Sequence, residues 1–184
     1  DPSTSTEASK ATPYTVPDPP SSVDASRTAS EQVTVSWTAP DFDGGSPIED
    51  NYTVHVEGVA DKGCSGTPVE ASDGSWSCIV EGLVNGTEYA FTVVAANDAG
   101  DSDPSTSTEA SKATPYTVPD PPVIMSASRT ASEQVTVSWT APAANGLIPG
   151  DGGSPIEDNY TVHVEDEAGK GCSGTPVEAG EGLW

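Results

Sequence analysis

The chain has 184 residues, with 29 Asp plus Glu against 6 Lys plus Arg, a net charge of −23 and a hydrophobic share of 34%. Six cations among so many anions cannot replace the counterions around nucleic-acid phosphate, and an anionic bilayer repels such a chain, so neither nucleic acid nor membrane insertion is expected. No run approaches the ~18 apolar residues of a bilayer span and no charged-then-apolar leader opens the sequence, while four Trp argue against disorder.

The chain is organised by repetition. Residues 1–20, DPSTSTEASKATPYTVPDPP, recur unchanged at 103–122, and ASRTASEQVTVSWTAP at 25–40 recurs at 127–142. DFD at 41–43 is replaced by AANGLIPGD at 143–151, after which GGSPIEDNYTVHVE at 44–57 returns at 152–165 and KGCSGTPVEA at 62–71 at 170–179. The six extra residues fall at one point, as a surface loop allows. The expected division is a last strand plus linker of a preceding repeat at 1–16, a complete domain with linker at 17–118, and an incomplete second repeat, strands A to C′, at 119–184. Trp184 corresponds to Trp76. The chain reads as an excerpt of a longer tandem array, or else as a natural chain finished by another molecule.

Inside the complete unit the period is two. Val33, Val35 and Trp37 share one face of a strand, and Tyr52, Val54 and Val56 alternate with Thr53, His55 and Glu57. Cys78 and Val80 form a shorter run. Tyr89, Phe91, Val93 and Ala95 alternate after the turn Asn85-Gly86, and other turns fall at Asp43-Gly44-Gly45, Asp73-Gly74 and Asn97 to Gly100. About seven short, half-polar strands in about 100 residues make an all-β, two-sheet antiparallel sandwich. TPYTVPDPP at 12–20 and 114–122 has the Pro content of a stiff, extended spacer.

Pro17 and Pro20, VTVSW ending in Trp37, GGSPI, YTVHV, and Leu83, Gly86, Thr87, Tyr89, Val93, Ala95, Asn97 and Gly100 together resemble a fibronectin type III domain, in its bacterial secreted form. The resemblance implies tandem immunoglobulin-like sandwiches joined by the Pro-rich linkers, with Trp37, Trp139 and Leu83 in the cores and Tyr89 as the tyrosine corner. The extra residue in Ile48-Glu49-Asp50-Asn51-Tyr52 departs from the pattern and suggests a bulge or longer turn before strand C. Given that resemblance, Cys64 and Cys78 are expected to form a disulfide closing a 15-residue loop between strands C′ and E, worth roughly 3 kcal/mol on the chain-entropy model. Zinc is the rival reading, though two thiols with remote His supply no four-ligand set. Cys172 corresponds to Cys64.

No catalytic set emerges, no cofactor is implied, and the chain is not expected to be an enzyme. His55 and His163 occupy the same polar strand position in the two copies. Calcium is a weak candidate at Asp41 and Asp43 and at Asp98, Asp101 and Asp103, since hard Ca²⁺ takes six to eight oxygens. Solvated acid is the plainer reading. Asn51, Asn85 and Asn159 each open an N-x-T sequon, with Glu49 and Glu157 two residues before the first and third, as in bacterial sequons. Trp76 and Trp184 either pack over a disulfide or offer a sugar-stacking platform.

The expected function is structural: a secreted or cell-surface spacer module of a fibre, stalk or adhesin shaft. Its partners would be neighbouring repeats, self-assembled copies, or a surface glycan or protein. The alternatives are a carbohydrate- or Ca²⁺-dependent binding module and the accessory spacer of a secreted carbohydrate-active enzyme.

Overall fold

The computed structural model describes residues 13–143, 150–156, 159–165, 170–172 and 176–178. The chain forms two compact units, Asp1–Leu83 with Glu88–Thr114 and Val84–Thr87 with Pro115–Trp184, each taken here through its described residues.

The first unit is a sandwich of two antiparallel sheets. Strands β1 (Ser21–Ala29) and β2 (Gln32–Thr38) form a hairpin that pairs Ala29 with Gln32. The turn between them is Ser30-Glu31, and Glu31 adopts a left-handed φ of 61°. The first sheet runs β1-β2-β5-β4, with β5 at Ser75–Val80 and β4 at Val69–Glu70. The second sheet pairs β3 (Tyr52–Val56) with β6 (Tyr89–Asn97), which also pairs with the two short strands β7 (Gly100–Asp101) and β8 (Lys112–Ala113).

Alternation decides which face is buried. Val33, Val35 and Trp37 face inward from β2, with Cys78 and Val80 from β5. Tyr52, Val54, Val56, Phe91, Val93 and Ala95 oppose them from the second sheet, and Leu83 and Ile48 join the same core. Thr53 and His55 stay exposed on β3.

The last strand is interrupted for a chemical reason. Pro104 has no N–H to give, and Ser102 and Ser105 bond to β6 around it. Their backbone amides donate to Ala95 O and Val93 O at 2.8 and 2.9 Å. Their hydroxyl oxygens accept from the amides of Ala95 and Val93 at 3.1 and 2.9 Å, replacing main-chain acceptors. Both serines are buried. A short 3-10 turn, Glu109–Ser111, then leads into β8.

One expectation changes and another is narrowed to one of its alternatives. The stretch before Cys78 supplies no C′ strand beside β3. Val69 and Glu70 pair with Ser77 and Trp76 of β5, at the edge of the first sheet, and Cys64 bridges Val80 there. The extra residue before strand C makes a turn in which Asn51 N donates to Ile48 O at 3.1 Å, with Glu49 at φ 55°.

In the second unit, β9 (Val123–Ala131) and β10 (Gln134–Thr140) repeat the first hairpin, with Glu133 at φ 62°. Strands A to C′ are expected there, yet the counterpart of β3, from Tyr160 to Val164, is not a strand. β3 is built on β6, and the 184 residues hold no second copy of that partner. The preceding-repeat strand and the loop insertion fall largely on 1–12 and 144–149, outside the described residues, as do Glu157 and Trp184.

Candidate functional site

The most developed polar construction in the first unit seats the Pro-rich segment that precedes β1. Pro17 and Pro20 of that segment are buried. Thr15 N donates to Gly44 O at 2.9 Å and Asp18 N to Phe42 O at 3.1 Å, so the segment runs along the loop between β2 and β3. Asp43 shapes that loop by accepting the amide of Gly45 on Oδ1 at 2.8 Å.

Asn97, at the end of β6, closes the seat. Its Nδ2 donates to Thr15 O and to Asp43 O, both at 2.7 Å, and its Oδ1 accepts Ala99 N at 2.8 Å. One amide thus ties together the Pro-rich segment, the β2–β3 loop and the β6–β7 turn. Ser46 Oγ adds a bond to Asp98 Oδ2 at 3.1 Å. The approach at Gly44 is so close that a Cβ there would lie 2.0 Å from Thr15 O, and its φ of 77° is one that other residues rarely adopt.

The second unit builds the loop-and-segment part of this seat. Thr117 N donates to Gly152 O at 2.8 Å and Asp120 N to Gly150 O at 2.9 Å. Asp151 accepts Gly153 N at 2.9 Å, and a Cβ on Gly152 would lie 2.2 Å from Thr117 O. The six inserted residues leave these bonds unchanged.

The other candidates divide clearly. Cys64 and Cys78 are disulfide-bonded, with Cα atoms 5.6 Å apart, and Cys172 is a free, exposed thiol. Trp37 is 1% exposed, Leu83 2% and Trp139 5%, and half-buried Tyr89 packs against the core. Neither Trp37 Nε1 nor Trp139 Nε1 has a hydrogen-bond acceptor among the described residues.

Trp76 lies in register with Trp37 and stands 5.0 Å from the ring of Tyr52, which is itself 5.4 Å from Trp37. Its half-buried ring therefore belongs to an aromatic trio on the inner face. Trp139 and Tyr160 repeat the Trp37–Tyr52 pair at 5.6 Å. Burial, and secondarily the charge of Glu70, raises the Tyr52 phenol above its ordinary value; burial and then Glu178 act the same way on Tyr160.

The five aspartates named for calcium are not drawn together. No group of three or more His, Cys, Asp or Glu that could hold a metal ion occurs among the described residues. Asp43 and Asp98 instead spend carboxylate oxygens on Gly45 and Ser46, as turn and loop formers. His55 and His163 are exposed, one in each unit. Asn51 and Asn159 are exposed, whereas Asn85 is 3% exposed. Sequence reasoning missed the seat itself: Asp43-Gly44-Gly45 and Asn97 to Gly100 read only as turns, and neither shows that it meets the Pro-rich segment.

The fibronectin type III family profile matches residues 18–111, half of the chain and most of the first sandwich. The chain belongs to the fibronectin type III family. It is 36% identical over 126 residues to chicken sidekick-1, a match covering 66% of this chain and 6% of that protein. It is 29% identical over 159 residues to human myomesin-2, covering 85% and 10%, and 37% identical over 113 residues to the titin homolog of Caenorhabditis elegans, covering 56% and 1%. The chain therefore spans a tenth or less of these curated relatives. Among solved structures, the titin domains A168–A170 are 32% identical over 54% of this chain and 32% of that one, with a TM-score of 0.39.

The bacterial secreted form expected from the sequence is corrected by these fibronectin type III relatives, which are animal proteins. The residues that carried the resemblance are core and turn positions such as Trp37, Leu83 and Gly86. Packing requires them wherever the fold occurs, so they mark architecture and carry no mark of source. No helix among the described residues is long and apolar enough to cross a membrane.

Proposed function

We propose that the chain is a non-catalytic, structural spacer of an extracellular tandem-repeat protein, in which residues 12–20 and 114–122 are linkers between fibronectin type III modules. The observation that carries this reading is the seat, three of whose hydrogen bonds are built at matching positions in both units. A Pro-rich segment is stiff along its own length, but it sets the direction of a module only if its end is fixed to that module. Two backbone hydrogen bonds and the Asn97 amide provide that fixation in the first unit, each bond worth about 0.5–1.5 kcal/mol net.

Charge suits the same role. Residues 17–118 carry 17 Asp plus Glu against 3 Lys plus Arg, so each module repels its neighbours and a long array stays soluble and extended at low salt. The disulfide favours an oxidising compartment, which supports placing the protein at a cell surface or in secretion. Neighbouring modules are then its nearest partners.

The test is to break the seat without touching the core. Gly44→Ala and Gly152→Ala drive a methyl group into Thr15 O and Thr117 O. Small-angle scattering of the double variant should show a broader, more flexible profile than the parent chain with both units still folded. An unchanged profile would rule out the seat as the element that fixes the linker.

A further inference from the structure

We propose that Asn51 and Asn159 carry N-linked oligosaccharide and that Asn85 does not. The inference rests on the extracellular reading above and adds a modification site to it. All three asparagines open an N-x-T triplet, so the triplet does not choose among them. Geometry does.

At Asn51 the strand alternation begins one residue early: Asn51 and Thr53 are exposed, while Tyr52 between them is 8% exposed and anchored against Trp37 and Trp76. The acceptor amide and the sequon hydroxyl therefore share the solvent face, as a period of two dictates. Asn159 and Thr161 are likewise exposed. Asn159 is held by the same turn, its N–H donating to Ile156 O at 3.1 Å as Asn51 N–H donates to Ile48 O at 3.1 Å. A glycan at either position projects from a turn without displacing any core side chain. The turn precedes β3, which pairs with β6 alone among the strands of its sheet, so a sugar there also stands beside a sheet edge that needs protection from pairing. Asn85, 3% exposed, would have to leave its buried site to carry the same group.

The transfer is a substitution at an anomeric carbon. Asn Nδ2 forms a bond to C1 of an oligosaccharide carried on a polyprenyl pyrophosphate. The C1–O bond to the pyrophosphate breaks, the amide gives up one proton, and the lipid pyrophosphate leaves with the electron pair. No oxidant or reductant is involved.

The test is secretion of the 184-residue chain from an animal cell line, with intact mass measured before and after peptide-N-glycosidase. The wild-type mass should exceed that of the bare sequence, and enzymatic release should convert residues 51 and 159 to Asp. Asn51→Gln and Asn159→Gln should each remove one glycan, and Asn85→Gln none. A secreted, Cys64–Cys78-bonded chain with the bare mass overturns the glycan while leaving the spacer standing. A glycan mapped to Asn85 overturns the geometric selection. A chain retained inside the cell with Cys64 and Cys78 reduced overturns the extracellular reading, and the glycan with it.

Discussion

The two copies share long stretches of identical sequence, yet identical residues meet different fates. Val33 is fully buried and its counterpart Val135 is 62% exposed; Val35 is fully buried, whereas Val137 is half-buried. Other features survive the change of surroundings: the A–B hairpin with its left-handed glutamate, the Trp–Tyr ring pair, and the linker seat with all three of its matched bonds. The surviving features are those whose partners lie within the stretch that both copies contain, the replaced loop included. The lost ones depend on an opposing sheet, which for the second copy is absent from these residues. These contacts are thus written into each copy of this chain, while burial is a property of the completed sandwich.

The sharpest way to break that contrast is in the core. Trp37→Ala should destabilise the first unit by about 3–5 kcal/mol, the range for deleting a large buried aromatic, read by chemical denaturation. Val33→Ala should cost about 2 kcal/mol, and Val135→Ala, on an exposed face, under about 0.5 kcal/mol. Equal costs for the two valines would mean that the second copy buries its strand after all.

The staple comes next. Cys64→Ala with Cys78→Ala reopens a loop whose ends are 14 residues apart in sequence and should cost roughly 3 kcal/mol. Cys172→Ala should leave stability untouched.

A gain is expected at the hairpin turns. Glu31 and Glu133 hold φ near 60°, so Glu31→Gly should stabilise the first hairpin by about 0.5–1 kcal/mol. Glu133→Gly should do the same for the second. A loss at either would show that the glutamate side chain contributes more than its backbone strain costs.

The smallest effect is alkaline. Tyr52 is held protonated by burial and then by Glu70, above its ordinary value of 10.0. Above that pH the unfolded chain has lost a phenol proton that the folded chain keeps, so stability is full below pH 10 and falls as pH rises through the folded value. Tyr52→Phe should flatten this dependence in denaturation curves recorded between neutral and strongly alkaline pH.

Much of the fold was legible because period-two alternation reports burial directly: Val33, Val35, Trp37 and Tyr52, Val54, Val56 point inward as their spacing requires. The place of Val69–Glu70 was not legible. Two residues carry no periodicity, and whether they extend one sheet or the other depends on where the chain crosses after Val56. The broken last strand was hidden for a different reason, since Ser102 and Ser105 look like surface hydroxyls until Pro104 forces them to act as backbone acceptors. Asn85 reads as a turn former, and its burial comes from tertiary packing that the local pattern does not encode. The linker seat joins residues as far apart as Thr15 and Asn97, a pairing that no local pattern encodes. Its repetition with the same bonds, in a second copy with a longer loop, is what marks it as a property of the sequence.

Amide hydrogen exchange at Thr15 and Thr117 tests the central claim most directly, since both N–H groups are donated to loop carbonyls and to nothing within the Pro-rich segments themselves. The account predicts that both exchange far more slowly than an unstructured Pro-rich chain, and that Gly44→Ala releases Thr15 alone. Exchange of both at the unstructured rate in the unmodified chain would contradict it.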